Sequence, residues 1–189
     1  MKTASICFIF AGIIIFAGIF TGEYFFKGYS QRNNTISDLG QRIDPVNTSI
    51  VSSIIFFAAM IIGGATIVFG GYLLYSNLNN KFISVLLIMH GIATMGVGIF
   101  NTNIKPIHLI FAVLTFLTVE IAAISSYNLT NNSLKYLLSS LGLISIIFLI
   151  GNFGFKSLLG VGGAERFIVY PTTLWLIIFG LFLFSHKTT

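Results

Sequence analysis

Residues 48–75 read T-S-I-V-S-S-I-I-F-F-A-A-M-I-I-G-G-A-T-I-V-F-G-G-Y-L-L-Y, a run without a single charged residue. A bilayer core of about 30 Å needs roughly 20 apolar residues of helix, so this run can cross it with residues to spare. In lipid every backbone N–H and C=O must find an internal partner, which a helix supplies by itself. The stretches Ala4–Phe26, Phe82–Phe100, Pro106–Tyr127, Leu134–Gly151 and Arg166–Phe184 have the same character. None alternates apolar and polar residues as a barrel strand would. The expected fold is therefore all-α: a polytopic integral membrane protein, one domain over residues 1–189, with six transmembrane helices in a single bundle. A short interfacial helix or ordered loop is expected between helices 1 and 2.

Composition points the same way. The 189 residues are 56% hydrophobic and 8% charged, where a soluble domain carries about 25% charge and can cover its surface with it. The ten Lys and Arg are scattered, which gives nucleic acid no basic patch to bind. Cys7 is the one cysteine, so an internal disulfide and a cysteine metal site are both excluded. No metal and no cofactor are expected. Lys2 gives the first span a basic start, but its apolar stretch outruns the 7–15 residues of a signal core and reads as a retained helix.

Six spans put both termini on one side, and the linkers 27–47 and 152–165 together on the other. Lys2, Lys81, Lys135 and Lys187 lie on the terminal side; Lys27, Arg32, Arg42, Lys105, Lys156 and Arg166 lie on the opposite one. The positive-inside rule does not decide between them once Arg42 and Arg166 are read as site residues. The sequons at Asn33, Asn47, Asn128 and Asn131 fall on both sides.

Within the spans, Gly63 and Gly70, and Gly64 and Gly71, repeat every seven residues. Small residues let helix backbones approach, which predicts tight packing inside the bundle, with a homodimer face as the alternative. Gly91, Thr94 and Gly98 make a similar pattern in the third span. His90 and Glu120 are ionisable and each about 12–14 Å below the terminal-side surface at 1.5 Å per residue. Burial in lipid demands a partner, and the expectation is a His90–Glu120 hydrogen bond or ion pair. It would lock the third and fourth helices together or serve proton passage. His108, Thr115, Ala122 and Ser126 share one stripe of the fourth helix, and Glu120 points about 120° away from it.

Linkers 1–2 and 5–6 bring polar groups to one membrane face: Ser37, Asp38, Arg42, Asp44, Lys105, His108, Glu165, Arg166 and Tyr170, with Glu23 at the end of the first span. Thr35-x-x-Asp38 has the spacing of a helix start, and Pro45 would stop that helix, giving a turn near Ser37–Ile43. The glycines of G-V-G-G-A-E-R, residues 160–166, precede a helix and fail the dinucleotide spacing. Free N–H groups at such a start, with the planar fork of Arg166, suit a phosphate. Alternatively Arg166 pairs with Asp38 or Asp44 and pins linker 1–2 to the bundle. The acids and His108 are types used in general-base or hard-metal chemistry. No HExxH or Gly-x-Ser-x-Gly accompanies them, and an enzyme is not the leading reading.

Ser37-Asp38-Leu39-Gly40 after the first span, Gly162-Gly163-Ala164-Glu165-Arg166 opening the last, and Tyr170 and Trp175 within it resemble the prokaryotic, largely archaeal membrane family catalogued as domain of unknown function 998. The resemblance covers nearly the whole chain and implies six spans. The S-D-L-G loop is also similar, more distantly, to that of a eukaryotic membrane family with a member involved in remodelling GPI lipid anchors. That likeness points to amphiphile handling, with linker 1–2 outside and the termini cytoplasmic; the expected location is the plasma membrane. The leading expectation is binding or handling of a lipid or lipid-linked anion at the polar cap, with membrane lipids as partners. The alternatives are an accessory subunit of a larger membrane complex, in contact with partner subunits or a second copy, and a proton-coupled transporter.

Overall fold

A computed structural model describes residues 1–41, 50–77, 81–129 and 133–185, leaving aside the side chains of residues 152 and 153. Arg42 and Asp44, two of the expected cap residues, lie outside the described residues, as does Pro45. The helices are α1 (Lys2–Phe25), α2 (Ile50–Tyr75), α3 (Phe82–Ile99), α4 (Lys105–Ser125), α5 (Leu134–Ile150) and α6 (Asn152–Ser185). No strand occurs among the described residues. Five helical stretches are long and apolar enough to cross a membrane, and α5 is a shorter apolar helix. By length and composition these helices are those of a multi-pass membrane protein.

The helices close a ring in chain order. Each packs against the next, α6 returns to α1, and α4 also meets α6 across the ring. The start of α1 lies beside the end of α6, where Gly180 approaches Ser5 and Ile9. From α2 onward the linkers are short and let each helix run back along its predecessor, while the longer linker joins α1 to α2.

The glycine rows of α2 serve two neighbours. A Cβ on Gly63 or Gly70 would meet Ile15 or Phe8 of α1, and one on Gly64 or Gly71 would meet Gly91 and Met95 or Ile88 of α3. A seven-residue repeat returns to nearly the same face, and adjacent glycines lie about 100° apart. One helix can therefore receive a partner on each of two faces. Both rows are filled within the chain, so no glycine stripe of α2 is left for a second copy.

Phe8, Phe56, Trp175 and Phe179 are fully buried at the centre. Trp175 stacks on Phe179 at 4.8 Å between centroids. Its indole N–H donates to Ser126 Oγ at 3.3 Å, joining α6 to the turn that follows α4. Buried indole nitrogens need such an acceptor.

One boundary departs from expectation. Residues 152–165, expected as a linker, are helical, and the last helix begins before Arg166. The break sits at Gly160 alone, with φ 79° and ψ 167°. Such a conformation admits only glycine readily. It divides α6 into a short arm, 152–159, and a long arm, 161–185. The short arm folds back on α5 through Phe155, which stacks on Phe148 at 4.1 Å. Phe148 in turn stacks on Phe167 of the long arm at 4.5 Å. Glycine richness here marks one sharp corner between two helices, not an unstructured linker.

Candidate functional site: a polar cap in two halves

The linker after α1 crosses the end of the bundle and is held there by the first turns of the long arm. Gly162 N–H donates to the Arg32 carbonyl at 3.0 Å. A Cβ on Gly160 would collide with the Arg32 carbonyl, and one on Gly162 with that of Asn34. The glycines are present because main chain lies directly on main chain.

Arg166 organises the first half of the cap. Its Nη1 donates to the carbonyls of Gln31 at 2.8 Å, Asn34 at 3.3 Å and Gly162 at 2.9 Å. Its Nη2 donates to Glu23 Oε1 at 2.6 Å and to the Tyr29 hydroxyl at 2.8 Å. Tyr29 then donates to the Thr35 carbonyl at 2.8 Å, and burial pushes its phenol well above the usual range. Gln31 Nε2 holds the other oxygen of Glu23 at 2.7 Å. The planar guanidinium thus reads three carbonyls, a phenol and a carboxylate at once, which a lysine could not do.

Linker 1–2 is held to the bundle by Arg166 through main-chain carbonyls; of the two acids expected to pair with Arg166, Asp38 does not, and Asp44 lies outside the described residues. The partner of Arg166 is Glu23, not Asp38. Glu23 lies at the end of α1, which packs directly beside α6, and its short reach suffices. Asp38 is engaged locally: Thr35 N–H donates to its Oδ2 at 2.8 Å and Gln41 Nε2 to its Oδ1 at 2.7 Å. Asp38 N–H returns a bond to Thr35 Oγ1 at 3.1 Å. That reciprocal exchange is a capping box. It opens one 3₁₀ turn over Ser37–Gly40.

Glu165 provides a second clamp. Its carboxylate accepts from Ile36 N–H at 2.6 Å and from Ser37 Oγ at 2.9 Å. Adjacent residues of one helix therefore grip different parts of the linker, Arg166 at residues 29–34 and Glu165 at 36–37. Tyr170, one turn beyond Arg166, packs edge-on to Phe16 at 5.6 Å. With Phe16, Leu141, Phe167 and Leu174 it walls an apolar furrow on the outer face of α6, and Arg166 lies at that furrow too.

The second half is an open groove of about 700 Å³, lined by Asp38, Gln41, Thr102, Asn103, Lys105, His108 and Leu109. Asn101 caps the turn leading into α4 by accepting from Asn103 N–H at 3.1 Å. Pro106 then fits the first turn of α4, where its missing N–H has no role. His108 Nδ1 donates to the Phe100 carbonyl at 2.7 Å. A carbonyl can only accept, so the proton sits on Nδ1 and Nε2 remains for another partner. Thr102 Oγ1 is buried and has no hydrogen-bond partner among the described residues. Lys105 is exposed, and among the described residues the Arg166–Glu23 pair is the only ion pair. The expected cap residues Asp38, Lys105 and His108 therefore gather at one groove, and Glu165, Arg166 and Tyr170 at the other half.

Beneath the cap lies a cavity of about 60 Å³, bounded by Ser37 and Glu165 above and by His90, Thr94, Thr115 and Thr173 among its deeper walls. It has room for a few waters by the usual requirement of about 10–15 Å³ each.

The expected His90–Glu120 contact does not form. His90 Nδ1 donates to the Thr115 carbonyl of α4 at 3.0 Å. Glu120 is fully buried and turns to α5, where Ser145 Oγ lies 2.6 Å from its Oε1. The same hydroxyl lies 2.8 Å from the Ile168 carbonyl of α6. Equal depth placed the two side chains at one level, but helix azimuth sends them to opposite neighbours. Glu120 does find its partner on another helix, as its isolation required. Tyr29, Gln31 and Ser145 carried no sequence signal of their own.

A family model described as Protein of unknown function (DUF998) matches residues 9–181. The chain belongs to this family. The match reaches into all six helices of the DUF998 chain and takes in both halves of its cap. No curated protein and no solved structure matches it.

Proposed function

We propose that this protein binds the phosphate-bearing head group of a membrane amphiphile in the open groove of its polar cap. The observation that carries this reading is the groove itself. It joins an exposed Lys105, outside any ion pair among the described residues, to Asp38, Gln41, Thr102, Asn103 and His108 in one recess of about 700 Å³. A lysine ammonium is a compact point charge suited to phosphate. The amides and carboxylate around it offer donors and acceptors to the hydroxyl or amine groups of a head group. Leu109 lines the same recess, and Ile107 and Ile110 beside it are exposed on α4, giving an acyl chain an apolar wall to follow.

Arg166 is not the ligand-binding cation in this reading. Its terminal nitrogens are occupied by five acceptors of the cap itself. The glycines before it are likewise covered by linker main chain. A plasma-membrane location is part of the same proposal, with the termini cytoplasmic as the resemblance of the S-D-L-G loop suggests.

Native mass spectrometry of the protein released from membranes in mild detergent tests the proposal. Wild type should retain one phosphate-bearing lipid, and Lys105→Gln should retain it at least tenfold less. Equal retention by the two would refute the groove as the binding site. Co-purification of a stoichiometric protein subunit without lipid would favour the accessory role instead.

A further inference from the structure

Glu120, Ser145 and Ile168 join α4, α5 and α6 through a single hydroxyl. Ser145 Oγ lies 2.6 Å from Glu120 Oε1 and 2.8 Å from the Ile168 carbonyl oxygen. Both are hydrogen-bond distances, and a serine hydroxyl carries one hydrogen. The Ile168 carbonyl has no proton to give, so the serine hydrogen belongs on that contact. The shorter contact then needs its hydrogen from the other side. Only a proton on Glu120 Oε1 supplies it.

The surroundings agree. Glu120 has none of its surface exposed. Its second oxygen, Oε2, is buried and has no hydrogen-bond partner among the described residues. An ionised carboxylate would leave that oxygen as an unanswered charge, whereas in the acid form it is an ordinary carbonyl oxygen. From α3 the only titratable group near this level is His90, which bonds the Thr115 carbonyl. From α5 the neighbours are Ser145 and Gly142, which packs on the Glu120 main chain. From α6 the contact is the Ile168 carbonyl. Arg166 is engaged by Glu23 on the α1 side. No cation meets Glu120 among the described residues.

We infer that Glu120 is a proton-binding site: it holds a proton at neutral pH and, as a neutral acid, donates to Ser145 Oγ, which donates on to the Ile168 carbonyl. The relay makes one proton the shared fastener of three helices. Glu120 does not line the cavity beneath the cap, so this proton is sealed in packing and separate from the proposed head-group site.

Infrared spectroscopy of the full chain in lipid nanodiscs tests this. The chain has only five acidic side chains, which keeps the carboxyl region simple. Wild type at neutral pH should show a protonated-carboxyl C=O band that is lost in Glu120→Gln. The Gln amide can donate to Ser145 in the same way, so this variant should melt close to wild type. Ser145→Ala retains the acid but removes its acceptor and should shift the same band, a reading available even where Glu120→Gln does not accumulate. A wild-type spectrum with no protonated-carboxyl band, or a band indifferent to both substitutions, would overturn the inference.

Discussion

At the scale of single residues, the cap depends on Arg166. Burying a charge in or near lipid is tolerated only with partners, and here the partner carboxylate and guanidinium are each about nine-tenths covered. Removing one member of such a pair leaves the other uncompensated, at a typical cost of about 3–5 kcal/mol. Arg166→Ala should lower stability by that order in detergent melting curves. Arg166→Lys should recover only a minority of it, because one ammonium cannot reach five acceptors. Tyr29 adds a pH dependence. Its phenol donates to the Thr35 carbonyl and burial raises its ionisation above the usual value. The unfolded chain ionises this group first, near pH 10, so it binds fewer protons than the fold above that pH. Stability should then fall as pH rises past about 10. Tyr29→Phe should flatten that fall while costing about 1 kcal/mol at neutral pH for the lost bond. The sequence brings Arg166 to the linker but points to Asp38 or Asp44 as its partner; Asp44 lies outside the described residues, and Asp38 is not the partner. The Thr35-x-x-Asp38 spacing already engages Asp38 in its own turn, and Glu23, at the end of α1, is the carboxylate within reach of Arg166.

At the scale of elements, helix crossings are set by what the glycines admit. Gly64 and Gly91 face one another across α2 and α3, each so close that a Cβ would lie 2.6 Å from the other's carbonyl oxygen. Gly64→Ala should push the two helices apart and cost about 1–3 kcal/mol, as overpacking does. Gly28→Ala is a useful contrast: a Cβ there meets nothing, and its cost should come only from the positive φ of 78°. Thermal melts of the two variants would separate close approach from backbone conformation. The spans themselves were readable, because a long uncharged apolar run has few alternatives in lipid. The extension of α6 back to Asn152 was not. Helix propensity counts glycine against a helix, while the aromatic stack of Phe148, Phe155 and Phe167 that holds the short arm is a tertiary contact. His90 and Glu120 illustrate the same limit. Residue counting fixed their depth, but their directions depend on how each helix is rotated in the ring.

For the whole molecule, a closed ring of six helices gives each element a neighbour on either side, with α4 and α6 also meeting across it, and leaves the ends to be sealed. One end is sealed by linker 1–2, held through Glu165 and Arg166. That arrangement separates two duties of the cap: one half holds the fold, and the other leaves Lys105 and its groove open. The division makes a prediction about the molecule as a unit. Lipid binding in the groove should raise stability by mass action, about 2.7 kcal/mol at a hundredfold excess over Kd, without any contribution from the Arg166 half. The most direct measurement is a thermal-shift titration of purified protein with phosphate-bearing lipid, comparing wild type with Lys105→Gln. Lys105→Gln should melt as wild type does without added lipid and lose the lipid-dependent rise. A rise of equal size in both proteins would contradict the assignment of the groove.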